Sequence, residues 1–589
     1  MEDSTVPQPT STEAVVATTE TSSDATNNDK KREREEKKQY APSLKRMVFG
    51  LGKYLDNKKF EKILQGLNVE YDKVRKVPGN PWGIIFFATE ELAATEQQKI
   101  QGQVIDGKTL DCKLPEDKKE KQARDKKPKK GDDSEPKKPI SVALATAPWS
   151  IHDYEKQIEM KREAVKANLK SLIKLMRSEA PTLPEWYLKR SHAGNKEFCP
   201  VEDVLRSPVR EYYRNKVSFT MGIDDNEQPC IGFAKGRILN NVDRVGDPSE
   251  CLVLSAEAMR IRNEYQKFVQ NSEQREDYSK QRMYDKHSHL GFWREMVVKT
   301  FSTGEVMCVF QVSDVQIDPA AVQKERENLR IFTEKLTHPP QSVWFQIYNG
   351  ISNVAPDDCP MDLIHGSQAV HENLMGLKFR ISPNAFFQVN TQGANQLYTL
   401  VKDWCLEILQ GQQKNEKTEA KTPDGGVETS EKKGVVLDVC CGTGTIGICL
   451  APHVKEVIGI EMVSEAVDDA RENAKLNGVE NISFLKGKAE DVFHKTTTLL
   501  PSGCIAVLDP PRAGLHPAVV KSIRSCSKIE YIVFVSCDKA SLTSNVMNLC
   551  KRETKTYSGK PFVPIKCMGV DLFPHTPNVE VVIMMKREE

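Results

Sequence analysis

What this 589-residue chain lacks narrows the field before any motif is read. No apolar stretch approaches the ~20 residues that cross a bilayer, and the N-terminus has no charged-then-apolar leader, so a soluble protein of the cytosol is expected. An excess of either charge is missing too: 84 Lys+Arg against 83 Asp+Glu leave a formal net charge of +1. That balance keeps nucleic-acid binding open, because local patches rather than totals decide it. The 15 cysteines contain no pair of CxxC motifs and no regular framework. A secreted disulfide scaffold is thereby disfavoured and a reducing compartment fits. Neither zinc nor an iron–sulfur cluster is expected, since Cys440 and Cys441 are chain neighbours that cannot readily chelate one metal. Residues 1–40 have almost no large apolar side chains and read as a disordered tail. Its run Lys30-Lys31-Arg32-Glu33-Arg34 reads as solvated charge, with a nuclear address as the competing reading, so a nuclear share stays open.

At ~100–200 residues per domain the length predicts two to four domains. Over 41–116 the pattern is strand 47–49, helix 57–67, strand 69–77, strand 82–87, helix 90–101 and strand 109–114. This βαββαβ order resembles the RNA-recognition motif (RRM), whose middle strands carry base-stacking side chains, here Met47, Trp82 and Ile84. A ferredoxin-like module that binds protein is the alternative. Residues 117–150 read as a flexible basic linker. Residues 151–380 read as a long amphipathic helix, 154–177, followed by a central α+β domain with strands at 215–221, 230–233, 296–301, 306–312 and 343–347. Arg210, Arg214, Lys216, Lys235 and Arg237 give that domain a basic edge suited to a phosphate backbone or simply to solvent.

In 381–589 an apolar run, Val435 to Val439, turns through Cys440-Cys441-Gly442-Thr443-Gly444 into a helix. Such glycine turns let backbone approach a cofactor closely. Glu461 ends the next strand, 456–460, where an acidic side chain accepts from ribose hydroxyls. Glu490 and Asp491 follow a strand at 481–485 and are placed to meet an adenine edge. Strand 505–508 ends in Asp509-Pro510-Pro511-Arg512, similar to the fourth motif of S-adenosylmethionine-dependent methyltransferases that act on nucleobases. Apolar run 529–535 ends in Ser536-Cys537-Asp538 before a helix at 540–550, and Cys537 at a strand's carboxyl end is a candidate nucleophile. Strands 564–572 and 579–585 make a terminal antiparallel hairpin. A polar stretch, 410–433, reads as a disordered insert.

Ile381 to Asn390 (ISPNAFFQVN), the DVCCGTGTIG turn, DPPRAG, VSC and DLFPHTPNVE together resemble the TrmA/RumA family of RNA (uracil-5-)-methyltransferases, from about Arg210 to the C-terminus. The resemblance implies an α/β fold: a Rossmann-like class I methyltransferase sheet with a terminal antiparallel hairpin, behind the α+β and RRM-like domains. It implies methylation of carbon 5 of uridine, the T-loop uridine of cytosolic tRNA, with S-adenosyl-L-methionine as cofactor. The expected partners are tRNA and T-loop-like hairpins, with no membrane or metal, and the chain acting as a monomer. Carbon 5 becomes nucleophilic only after a thiolate adds to carbon 6, so one cysteine and one base are required, assigned to Cys537 and Glu580. Gln388, Gly442, Thr445, Glu461, Asp491 and Asp509 are assigned to the cofactor, as is Cys440, where relatives often have an aromatic residue. Phe386 is assigned to stacking on the target base, and Arg512 to the substrate. The family's usual Ser-Cys-Asn-Pro is here Ser536-Cys537-Asp538-Lys539, and a carboxylate next to the thiol disfavours thiolate. That departure keeps a noncatalytic tRNA-folding chaperone open. An amino-group methyltransferase that dispenses with Cys537 is a third reading.

Overall fold

Strands buried at every position need cover on both faces. Val435–Val439 and Cys504–Leu508 are buried at all five positions, which makes them the middle of a helix-covered parallel sheet. A computed structural model describes residues 44–51, 55–76, 82–105, 108–114, 141–179, 183–235, 244–270, 283–352, 355–356, 359–419 and 434–589. The chain divides into two compact units, Met1–Pro136 and Lys137–Glu589.

The first unit is a four-stranded antiparallel sheet in the order Lys73–Lys76, Trp82–Phe86, Lys45–Phe49, Asp111–Lys113, with helices Asn57–Gly66 and Glu90–Ile100. Asp56 and Thr89 cap the two helices by accepting from Lys59 N and Leu92 N. Val48 and Ile85 share a core with Phe60, Leu64 and Ala93, so the helices cover one face. On the other face Met47 lies opposite Ile84, and Phe49 opposite Trp82. Those side chains are half-buried, as is Phe86. Phe49 and Phe86 are aromatics of this face that the sequence reading passed over.

The second unit holds two seven-stranded sheets. The central one runs Asp362–Gly366, Ser342–Ile347, Val306–Val312, Trp293–Thr300, Lys216–Ile223, Pro229–Ala234, Val245–Gly246. Residues of helices Ala256–Gln270 and Pro319–Glu334 complete its core. A hairpin, Val370–Leu374 with Leu377–Ile381, and helix Thr391–Glu419 lead to the last sheet. Its order is Ile482–Lys486, Glu456–Glu461, Val435–Val439, Cys504–Leu508, Ile529–Ser536, Glu580–Arg587, Phe562–Val570. The first five strands are parallel and the last two make the antiparallel terminal hairpin.

Three sequence expectations are corrected. The long helix, Tyr154–Glu179, shares its core with the last sheet rather than the central strands: Val165, Leu169, Leu172 and Met176 cluster with Phe534, Val546 and Ile583. The end of the expected linker is ordered, with Val142–Thr146 a short helix whose Val142 joins the central core. The first part of the expected insert, 410–419, is helix, because Thr391–Glu419 extends into it, and Gln412 Nε2 donates to Gly503 O at 3.1 Å. Residues 420–433, Arg237, the tail 1–40 and linker 117–140 lie outside the described residues. Among the described residues no helix is long and apolar enough to cross a membrane, and no group of three His, Cys, Asp or Glu is placed to hold a metal.

Candidate active site

One rim of the last sheet collects the chemistry. In spatial order Glu461 closes one strand, Cys440 follows the next, Asp509 the next and Cys537 the next, and Glu580 opens the antiparallel neighbour. At ~4.8 Å per strand the run spans roughly 19 Å, room for a nucleoside and a second ring side by side. Ser536 pairs with Val581, so one further step of antiparallel register sets Cys537 opposite Glu580. Cys537 is exposed, while the other cysteines are buried or half-buried. Asp538 Oδ1 accepts from Ser541 N at 2.8 Å and so caps helix Lys539–Cys550.

The turn before Glu580 is pinned from far away in sequence. Fully buried Lys161 donates to the carboxylate of equally buried Asp571, and to Phe573 O at 2.9 Å. Gln157 Oε1 accepts from His575 N at 2.8 Å, and Asn390 Nδ2 donates to Leu572 O at 3.0 Å. Together these hold the backbone that sets where the final strand begins.

Burial first, then the Glu580 and Asp509 carboxyls, push the Cys537 thiol up to about 11, against the exposed Arg512 guanidinium. Asp538, the carboxylate expected to do this, is instead occupied at the helix cap. Burial and then Asp509 push Glu580 up to about 8, again against Arg512. Burial takes Asp509 to about 7. Cys537 and Glu580 are thus both held toward their protonated forms in the free protein, with the Arg512 guanidinium acting the other way on each.

At the other end of the rim Cys440 (φ 64), Gly442 (φ 55) and Gly444 (φ 78) take left-handed backbone. A Cβ at Gly444 would come within 2.9 Å of Phe484, so glycine is required there, whereas one at Gly442 would meet nothing, leaving its face open. Glu461 Oε2 accepts from Gly442 N at 3.0 Å, and Oε1 from Met462 N at 2.7 Å and Val463 N at 2.9 Å. Its carboxylate is fixed across the turn with lone pairs left over for hydroxyls. Asp438 Oδ2 accepts from Gly447 N at 2.9 Å, while Asp438 Oδ1 and Thr443 Oγ1 are buried without a hydrogen-bond partner. Those orphan atoms and the open glycine face fit the nucleoside-containing cofactor expected from the sequence. Cys440 is half-buried, its thiol pushed up to about 12 by burial and then Glu461. Glu490 also acts on that thiol, whereas Asp491 is exposed one residue later in the same helical turn.

Tyr398, which no sequence signal marks because it sits on the apolar face of a helix, is hydrogen-bonded to the side chains of both Thr445 and Gln388. Asn215, another residue the sequence reading missed, donates from Nδ2 to Gln388 O and Thr391 Oγ1, both at 2.9 Å. Phe386 is 68 % exposed between buried Ala385 and Phe387. Of the basic edge, Arg214 lies within electrostatic reach of Arg512, Lys235 pairs with Asp225, and Arg210 stacks 4.0 Å from the Tyr154 ring centroid.

A protein-family profile described as a methyltransferase domain matches residues 430–554. Human tRNA (uracil-5-)-methyltransferase homolog A is 32% identical over 509 residues, covering 84% of this chain and 76% of that protein. Its mouse counterpart is 34% identical over 451 residues, covering 75% and 68%. The Pyrococcus abyssi tRNA (uracil-54, C5)-methyltransferase, solved with S-adenosyl-L-homocysteine, aligns with a TM-score of 0.49 at 23% identity, over 76% of this chain and 86% of that one. With a relative above 30% identity spanning most of both chains, and a methyltransferase profile over the cofactor turn, this chain belongs to the tRNA (uracil-5-)-methyltransferase family.

Proposed function

We propose that this enzyme transfers a methyl group from S-adenosyl-L-methionine to carbon 5 of uridine in tRNA, at the T-loop uridine, through a temporary bond between Cys537 Sγ and carbon 6 of the ring. The observation that carries this reading is the register that faces an exposed cysteine with a buried glutamate, two strands from the cofactor turn. Bound at that turn, the cofactor supplies an electrophilic methyl group.

Cys537, its proton released to solvent, adds to carbon 6 as the thiolate, and the ring's electron pair moves toward the carbonyl at carbon 4 as an enolate. Asp509, protonated in part near neutral pH, is a hydrogen-bond donor to that developing charge. Held at the glycine turn by residues such as Gly442, Thr445 and Glu461, S-adenosyl-L-methionine would supply the methyl group that carbon 5 accepts, the electron pair of the broken bond staying with its sulfur. Glu580 removes the carbon 5 proton, the electrons of that C–H bond restore the double bond, and the Sγ–C6 bond breaks. A carboxyl raised to about 8 is better matched to this proton than one near 4.5, because base strength rises with pKa.

A T-loop uridine is stacked in folded tRNA, so it must be flipped out at a cost of ~2–4 kcal/mol. Stacking on the exposed Phe386 ring offsets ~1–3 kcal/mol of this. The first unit supports a separate RNA contact of RRM type. Its open face carries Phe49, Trp82 and Phe86, with Lys113 Nζ 5.0 Å from the Phe49 ring and exposed Arg75 opposite Ile84. The departure at Asp538-Lys539, which motivates a noncatalytic chaperone, has a local account in the helix cap.

The test is mass spectrometry of nucleosides from unmodified tRNA incubated with protein and S-adenosyl-L-methionine. 5-Methyluridine at the T-loop position with wild type and none with Cys537→Ala is expected. Methylation retained by Cys537→Ala overturns the covalent route, and 5-methyluridine confined to another position overturns the T-loop assignment.

A further inference from the structure

The loop that presents Phe386 is held from beneath by a lysine for which the methyl-transfer chemistry has no use. Lys299 lies near the end of strand Trp293–Thr300 and is 2 % exposed. Among the described residues no carboxylate stands within ion-pair distance of it. Its ammonium instead donates to three main-chain carbonyls of one short loop: Ser382 O at 3.2 Å, Pro383 O at 2.8 Å and Ala385 O at 3.3 Å.

A dry, unpaired ammonium is a costly way to satisfy carbonyls that solvent would serve without penalty. Burial and then Lys216 push this lysine down to about 7, with Asp469 opposing, so keeping its charge against the carbonyls works against its surroundings. What the arrangement secures is direction. Three carbonyls turned onto one point fix the loop's backbone, and the next side chain, Phe386, is thrown out to solvent between two buried neighbours. The loop's flanks are tied separately, Ser382 Oγ donating to Asp469 Oδ2 at 2.6 Å and Gln388 O accepting from Asn215 Nδ2 at 2.9 Å. Between those ties the stretch before the ring is closed by its own turn, Ala385 N donating to Ser382 O at 3.2 Å, and gathered by Lys299, which bonds three of its carbonyls.

We infer that Lys299 is a positioning residue for substrate capture, fixing the direction in which Phe386 presents its ring to the flipped base. This rests on the reading of Phe386 as the base-stacking residue given above. The experiment is a double-mutant cycle in the full-length protein with Lys299→Met, Phe386→Ala and the pair, using single-turnover methylation of in vitro transcribed tRNA and calorimetric binding of S-adenosyl-L-homocysteine. Phe386→Ala is expected to slow turnover roughly 10–100-fold, the size of one base–aromatic stack. Lys299→Met should slow it by a comparable factor with homocysteine-analogue affinity within about twofold, and the pair should be no more than about threefold slower than Phe386→Ala alone.

Losses that multiply in the pair, a silent Lys299→Met, or a loss of analogue binding in it each overturn the inference while leaving the stacking reading intact. A silent Phe386→Ala overturns the stacking reading and the inference with it. If Lys299→Met does not fold, Lys299→Leu, which likewise removes the donors, goes through the same cycle and is read by the same criteria, and Lys299→Gln, which keeps N–H donors toward the carbonyls, should recover most of the rate if positioning is the role and none of it if the inference is wrong.

Discussion

Replacing Glu580 with glutamine should make the free protein more stable and inactive at once, and the pH dependence of the gain is the informative part. The carboxyl is raised from 4.5 to about 8 by burial and by Asp509. A raised acidic group is stabilising in its protonated form: the fold bears no penalty below the unfolded value, bears more as pH climbs, and bears the whole of it above the folded value. At pH 5.5 the penalty is one unit, about 1.4 kcal/mol, and at pH 8.5 it is roughly 3.5 units, about 5 kcal/mol. The glutamine variant has nothing to ionise, so its advantage over wild type should be larger by about 3 kcal/mol at the higher pH. Over the ~450 residues of the second unit that is roughly 3 °C in melting temperature. Scanning calorimetry of both proteins at the two pH values measures it, and denaturing gels of enzyme mixed with tRNA and S-adenosyl-L-methionine should show a protein–RNA adduct that persists in the variant. An equal shift at both pH values, or a variant less stable than wild type at pH 8.5, would refute the claim that this carboxyl is held protonated by burial.

The turnover rate of wild type should rise with pH between 6 and 9, because thiolate and carboxylate are both the working forms; a flat single-turnover profile counts against both assignments. Cys537→Ala should abolish the adduct while S-adenosyl-L-homocysteine still binds, as titration calorimetry can show. Asp538→Ala removes a helix cap and should cost about 1 kcal/mol in thermal denaturation, with Asp538→Asn recovering most of it. Tyr398→Phe loses the hydroxyl that joins Thr445 to Gln388 and should weaken cofactor binding about fivefold, near 1 kcal/mol. On the first unit, Trp82→Ala and Phe49→Ala should each weaken binding of single-stranded RNA by ~1–3 kcal/mol in fluorescence titrations.

The parallel strands of the last sheet were legible because burial on both faces leaves continuous apolar runs, and their ends could be read to within a residue or two from the polar motifs that follow. Cys537 and Glu580 could be placed on one rim from strand direction alone, although that the register sets them opposite each other needed the structure. The long helix betrayed its amphipathic spacing but not its partner, since an apolar stripe does not say which sheet it covers. Strands such as Asp362–Gly366 escaped notice because half-exposed edge segments carry no alternation strong enough to see. Tyr398, Asn215 and Lys299 were invisible for another reason: each acts through a partner far away in sequence, Thr445, Gln388 and Ser382 respectively. On the first unit's sheet Met47, Trp82 and Ile84 are reached by strand alternation, and the same alternation carried to the strand ends reaches Phe49 and Phe86.

The brace beneath the final strand also sets a timetable for synthesis. Lys161 and Asp571 are 410 residues apart. At ~5–20 residues per second a ribosome needs roughly 20–80 s to make the second after the first. Throughout that interval Lys161 lacks the carboxylate it is buried against, so the brace can close only once the segment leading into the base's own strand has left the exit tunnel.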